Sequence, residues 1–228
     1  MKEEVMTKEN ERGETTEYVY NLLKERIFGW SLSPGQKINI SLLAREFNVS
    51  AIPLREALSR LHSQKLVHFE ANKGYWVSDI LDKQQMKEMF EARALMETYA
   101  IRQIIRANRL EIIHELSEIT EKMYSVDTRH SYKEVLDFVH LDQKFHSILM
   151  KAGGNTFLSE AYEGMYCHLH IARFYYVRGE VDQRDAAAEH REIIDAIRTR
   201  DIYRAEEAVA SHIHDVSKRL LEKWTKET

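Results

Sequence analysis

The sequence predicts a mainly α-helical protein in two parts: a small N-terminal unit of helices closed by a hairpin, and a C-terminal all-helical bundle of about six helices. Three observations predict it. Both prolines, Pro34 and Pro53, are used up by residue 53. Only four of the eight glycines, at 153, 154, 164 and 179, lie beyond residue 80, so the long remainder is poor in helix breakers. Between residues 40 and 77 the apolar period switches from helical spacing to that of strands.

Residues 1–14 are rich in Glu and Lys and are expected to be a disordered tail. The first domain spans 15–78. Tyr18, Leu22, Leu23, Ile27 and Phe28 predict an amphipathic helix ending near Gly29, and Ser33-Pro34-Gly35 predicts a turn. A second helix carries Leu42, Leu43, Ala44 and Phe47 on its apolar side, and Asn48-Val49-Ser50 breaks the pattern, with Ser50 as N-cap of the next helix. Pro53 falls in the first turn of that helix, where a missing N–H is tolerated, and Leu54, Leu58 and Leu61 face the core. Arg55, Ser59 and Arg60 are left on the other sides. Leu66, Val67 and Phe69, then Tyr75, Trp76 and Val77, flank Glu70-Ala71-Asn72-Lys73-Gly74, whose Asn and Gly suit a hairpin turn. Helix, tight turn, helix and hairpin together are the pattern of a winged helix-turn-helix, which predicts DNA binding.

The second domain spans 79–228, after a short connector near Ser78 to Leu81. Helices are expected at about 82–107, 109–127, 131–152, 155–178, 181–199 and 201–224. Asp82 with Gln85 and Ser131 with Glu134 have capping-box spacing, while Gly153-Gly154 stops one helix and Asn155 caps the next. No apolar run approaches the roughly 20 residues that span a bilayer, and the N-terminus lacks the apolar core of a signal peptide, so a soluble cytoplasmic chain is expected, with no membrane partner. The single Cys167 rules out an intrachain disulfide and is read as a packed thiol.

Charge is distributed unevenly. The chain carries a formal net charge of −4 and a pI near 6.3, which by itself argues weakly against nucleic acid. Tyr18 to Val77, however, holds eight Lys and Arg against four Glu, and Ser78 to Thr228 holds 22 against 27. The basic excess therefore sits on the winged domain. Candidate DNA contacts are Arg45, Ser50, Arg55 and the Lys73-Gly74 wing, with Arg60 and Lys65 behind them; any one surface Arg or Lys is more often a solvated charge than a contact.

Nine of the eleven histidines lie in the helical domain, several on apolar stripes where a polar group needs a partner. Asp142 and His146 are four apart, in line with Val139 and Leu149. His190 shares a stripe with Ala186, Ala187, Ile193, Ile194 and Ile197, and His212 one with Ala205, Val209 and Val216, whereas His214 points away. Three inward imidazoles and one carboxylate from three helices can enclose a divalent metal and leave positions open for water or a small anion. The alternative is a hydrogen-bonded polar core. A metal-dependent enzyme acting on a small carboxylate is a second functional class, but the metalloprotease His-Glu-x-x-His is absent and only Glu111 with His114 has the Glu-x-x-His spacing of di-iron bundles.

The string Leu-Ala-Arg-Glu-Phe-Asn-Val-Ser, then Pro53-Leu54-Arg55-Glu56-Ala57-Leu58 and Gly74, resembles the DNA-binding domain of GntR-family transcription regulators, as does Leu32-Ser-Pro-Gly-Gln-Lys-Ile. One departure is that the family commonly places Arg-Thr where this chain has Ala51-Ile52, which leaves the operator sequence open. Asp-Gln-Lys-Phe-His at 142–146, Glu-His-Arg-Glu-Ile-Ile-Asp-Ala-Ile at 189–197 and Ser-His-Ile at 211–213 resemble the FCD effector domain of the FadR subgroup, in its shorter, VanR-like branch. The resemblance implies a metabolite-responsive homodimeric regulator, most often a repressor, that binds operator DNA. It further implies zinc, nickel or manganese at Asp142, His146, His190 and His212, beside a small organic or sugar acid. Arg93 matches the family's Arg-x-x-x-Glu position and is either a partner for an effector carboxylate or paired with Glu97. Asn155, His168 and Arg173, and Tyr162, are further pocket candidates; Tyr175 and Tyr176 are expected in the core or an interface.

Overall fold

The computed structural model describes residues 2–29, 31–79, 81–127, 132–165 and 183–224. The chain divides into two compact units, Met1–Ile80 and Leu81–Thr228.

The first unit runs α1 (Lys2–Phe28), β1 (Lys37–Ile38), α2 (Ile40–Glu46), α3 (Ala51–Ser63), β2 (Val67–Glu70) and β3 (Gly74–Val77). Helix α1 runs back to Lys2 through the stretch expected to be disordered. The physical reason is that Glu and Lys are good helix formers, and extending a helix already anchored by Val19, Leu23, Ile27 and Phe28 avoids the unfavourable nucleation step. The inward face of α1 begins at Val19 and Tyr20, while Tyr18 is exposed. Asn39 caps α2, its Oδ1 accepting from the Leu42 amide at 3.0 Å. Of the apolar side expected for α2, Leu43 is buried and Leu42 is turned outward. Asn48 adopts φ +53° in the turn, and α3 then buries Pro53, Leu54, Ala57, Leu58 and Leu61. Each of the three buried leucines contributes roughly 1.5–3 kcal/mol.

The hairpin pairs Val67 with Val77, His68 with Trp76 and Glu70 with Gly74. Gly74, at φ +102°, closes the turn in a conformation costly for other residues. The sheet has a third strand, order β1-β3-β2, because Lys37 and Ile38 pair with Trp76 and Tyr75.

The second unit contains α4 (Lys83–Arg106), α5 (Ile112–Ser125), α6 (Tyr132–Ala152), α7 (residues 156–165 described), α8 (Gln183–Thr199) and α9 (Ile202–Trp224). Asp82 and Gln85 form the expected capping box on α4; the Ser131 cap lies outside the described residues. Helix α4 packs on α9 and α6, α5 on α6 and α8, and α8 on α9. Gly153 ends α6 against α4, where an added Cβ would stand 2.8 Å from Ala100 Cα. Gly154 follows at φ +77°. No described helix is long and apolar enough to cross a membrane.

Candidate metal centre and nucleic-acid interface

Three helices of the second unit turn polar side chains inward among apolar neighbours. Asp142 and His146 lie one turn apart on α6, His190 on α8 and His212 on α9, and none is more than 1% exposed. One ligand-type atom from each lies within 4.8 Å of the others. His146 Nε2 stands 3.3 Å from His190 Nε2 and 3.2 Å from His212 Nε2, and Asp142 Oδ1 is 3.8 and 3.7 Å from the Nε2 atoms of His146 and His190. Nitrogen ligands held about 2.0–2.1 Å from a tetrahedral ion are themselves separated by about 3.3 Å, so the imidazole spacing fits a metal centre.

The hydrogen-bonded alternative fits less well. His146 Nε2 has one lone pair or one proton, yet it faces His190, His212 and the Arg93 Nη2 at 3.1 Å together. A cation at the centre of the cluster would meet the three Nε2 atoms at once. This buried Asp and three His could hold a metal ion.

Carboxylates behind the cluster set the tautomers. His146 Nδ1 donates to Glu97 Oε2 and His212 Nδ1 donates to Glu189 Oε2, both at 2.7 Å, which leaves each Nε2 lone pair facing inward. Glu97 also accepts from Arg93 Nε at 2.8 Å and from Tyr162 Oη at 2.6 Å. Glu189 is clamped by Arg219, whose Nη1 and Nη2 donate at 2.6 and 3.0 Å. The Phe145 ring stacks on His190 with centroids 3.8 Å apart, fixing its plane. Burial pushes the Glu97 carboxyl up, but the Arg93 guanidinium and the hydrogen bonds from His146 and Tyr162 outweigh it and hold Glu97 ionised well below the usual carboxylate range. Burial, with the nearby charge of Arg93, holds the His212 imidazole pKa well below its ordinary value and keeps the ring neutral, the state a ligand needs.

Of the two expectations for Arg93, the structure contains the pair with Glu97; the side chain is 1% exposed and its Nη2 also lies 3.1 Å from His146 Nε2. Tyr162 joins the same network. Asn155 does not; its Oδ1 accepts from the Leu158 amide at 3.1 Å as the cap of α7, because a helix start buried without a cap would strand amide donors. His168, Arg173, Cys167, Tyr175 and Tyr176 lie outside the described residues. His214 is exposed, as its position two residues from His212 requires. Glu189 could not be assigned from its own helix, since it sits about 100° around α8 from His190 and serves a ligand on α9 instead.

On the first unit, the outward stripe of α3 presents Ile52, Arg55 and Ser59. Among the described residues Arg55 has no ion-pair or side-chain hydrogen-bond partner, so its guanidinium projects freely. Ser50 takes the extended N-cap backbone, but its hydroxyl makes no cap bond and is left exposed at the helix start. Arg45 is exposed on α2. Lys73 pairs with Glu70 at 2.6 Å across the wing turn, an exposed pair that holds it only weakly. Arg60 is tied back to Glu17 and the Tyr20 ring.

Residues 88–215 match the FCD domain family, and residues 15–77 match the gntR family of bacterial regulatory proteins. The chain belongs to the FCD-containing GntR regulators. This GntR regulator is 29% identical over 200 residues to the uncharacterized HTH-type transcriptional regulator YdhC of Bacillus subtilis (strain 168), covering 86% of this chain and 87% of the relative. It is 29% identical over 205 residues to the HTH-type transcriptional repressor GlaR of Escherichia coli (strain K12), covering 85% and 90%. Its fold resembles that of E. coli McbR/YncC at a TM-score of 0.71 and 19% identity, over 92% of this chain and 98% of that one. The relatives of this GntR regulator are transcription regulators rather than enzymes, and the chain is a DNA-binding transcription regulator.

Proposed function

We propose that this regulator is a metabolite-responsive repressor whose helical domain holds a divalent ion of the zinc, nickel or manganese class and reads a small organic or sugar acid there. The convergence of three imidazole Nε2 atoms and the Asp142 carboxylate in a closed interior carries this proposal. Asp142, His146, His190 and His212 are the ligands; Glu97 and Glu189 orient two of them. The ion supplies positive charge and open positions for oxygen donors.

Arg93 is the second half of the effector site. Its Nη2 lies 3.1 Å from His146 Nε2, so a metal bound there must take the lone pair that the guanidinium contacts. A carboxylate of the effector gives Arg93 a better acceptor while binding the ion with its other oxygen. Metal and acid thus favour one another. Asn155, His168 and Arg173 are kept as outer candidates.

The winged unit reads operator DNA with Ser50 at the N-cap of α3, Arg55 on α3, Arg45 on α2 and the Lys73-Gly74 wing along the backbone. A homodimer presents two such units to a near-palindrome. Leu95 is 74% exposed and Tyr99 follows one turn later on α4, while Tyr203, 84% exposed, lies on α9 one turn before Glu206, which pairs with Arg102. These side chains supply an apolar face for the twofold contact.

The test is operator release. A duplex enriched from a random pool by the full-length protein is titrated with small carboxylates and sugar acids, with and without added metal. Metal-dependent release by one acid supports the proposal, with a coupling of roughly 1–3 kcal/mol. DNA affinity indifferent to every acid and to the ion would remove effector sensing from this site.

A further inference from the structure

The first turn of α3 carries an apolar side chain that the core does not use. Ile52 is 55% exposed, whereas Pro53 and Leu54 immediately after it are buried. It lies three residues before Arg55 and seven before Ser59, on the same outward stripe. Local preference does not account for it, because a β-branched residue is a mediocre helix former at an exposed position where Ala, Glu or Lys would serve better. Intramolecular packing does not account for it either, given the exposure. What the position does offer is a branched hydrocarbon tip, without donor or acceptor, one helical turn ahead of an unpaired guanidinium.

Major-groove edges differ in how they receive such a group. Guanine presents two acceptors, cytosine a donor, and adenine one of each; each of these would be desolvated against Ile52 with no hydrogen bond in return. Thymine alone carries a C5-methyl. We infer that Ile52 is a specificity-determining residue that reads the C5-methyl of a thymine in each operator half-site, next to the base or phosphate engaged by Arg55. The inference rests on α3 being the helix that reads DNA.

The methyl can be removed without touching a single hydrogen bond, which makes the experiment direct. The full-length protein first selects its operator from a random duplex pool, and each thymine of the half-site is then replaced in turn by deoxyuridine. At one position the wild-type protein loses about four-fold in affinity per half-site, the factor that corresponds to one buried methyl-sized group. Ile52→Ala binds the thymine and uracil operators equally at that position, and Ile52→Val retains part of the difference. Unchanged melting temperatures for both variants are expected from the exposure of the side chain. Equal thymine-to-uracil losses for wild type and Ile52→Ala at every position would overturn the inference while leaving DNA reading by α3 intact. Failure to enrich any sequence would overturn both.

Discussion

Glu189 joins a ligand of the proposed metal to the outer end of the bundle: it accepts from His212 and is gripped by two nitrogens of Arg219. Removing it leaves His212 free to rotate and to protonate the wrong nitrogen, so Glu189→Ala should lower metal affinity by about 10–100-fold while the helices persist. Competition against a chelating dye measures it, and an unchanged affinity would mean that the ring is held by packing alone. On the other unit, Arg55→Ala should weaken operator binding by roughly 1–3 kcal/mol, and Lys73→Ala should mainly reduce the slope of affinity against salt. Wild-type affinity of Arg55→Ala at moderate salt would take that residue off the reading surface. The inward histidines were legible in the sequence because Ile, Val and Ala surround them at helical spacing. Their orienting carboxylates were not, because Glu97 is 49 residues from His146 and Glu189 is 23 from His212, and no local period connects them.

Helix ends explain how much of each element could be read in advance. Capping chemistry is local, so Asp82 with Gln85, Asn155 and Gly153-Gly154 mark their helices without tertiary information. Strand β1 has no such mark; two residues are too few for a period, and its partner β3 lies far along the chain. Leu42 and Tyr18 show the remaining weakness of periodicity, since a helix with apolar residues in adjacent positions can turn either one inward. The close approach of α6 to α4 gives an element-scale prediction. In Gly153→Ala the new methyl meets the α4 backbone at Ala100, which cannot step aside as a flexible side chain could, so a loss of about 1–3 kcal/mol is expected from urea unfolding. Stability equal to wild type would show that the α6 terminus shifts freely. Leu95→Glu on the exposed face of α4 should likewise shift a dimer toward monomer in sedimentation, whereas an unaffected dimer would place the twofold contact elsewhere.

For the whole molecule, protons and metal act on the same interior. The unfolded chain takes up a proton on His212 near the ordinary imidazole pKa of about 6.5, while the fold keeps that ring neutral, so its contribution to stability is complete above that pH and is lost as pH falls below it. Glu97, held below its ordinary range, adds a loss of the same sign at lower pH, below about 4.5. Urea midpoints of metal-stripped protein should therefore fall from pH 8 to pH 5, and a flat profile would contradict the buried neutral imidazole. Acid also releases the ion, because its ligands must be unprotonated. Whether Asp142, His146, His190 and His212 form a metal centre is decided by metal analysis with thermal melts of wild type beside His190→Ala and His212→Ala. The expected result is about one divalent ion per wild-type chain, far less in either variant, and a wild-type melt that chelation lowers and metal restores, by roughly 2.7 kcal/mol at free metal 100 times the dissociation constant. Equal, negligible metal in all three proteins, with no response of any melt to zinc, nickel or manganese, would contradict it and leave the cluster as a hydrogen-bonded core.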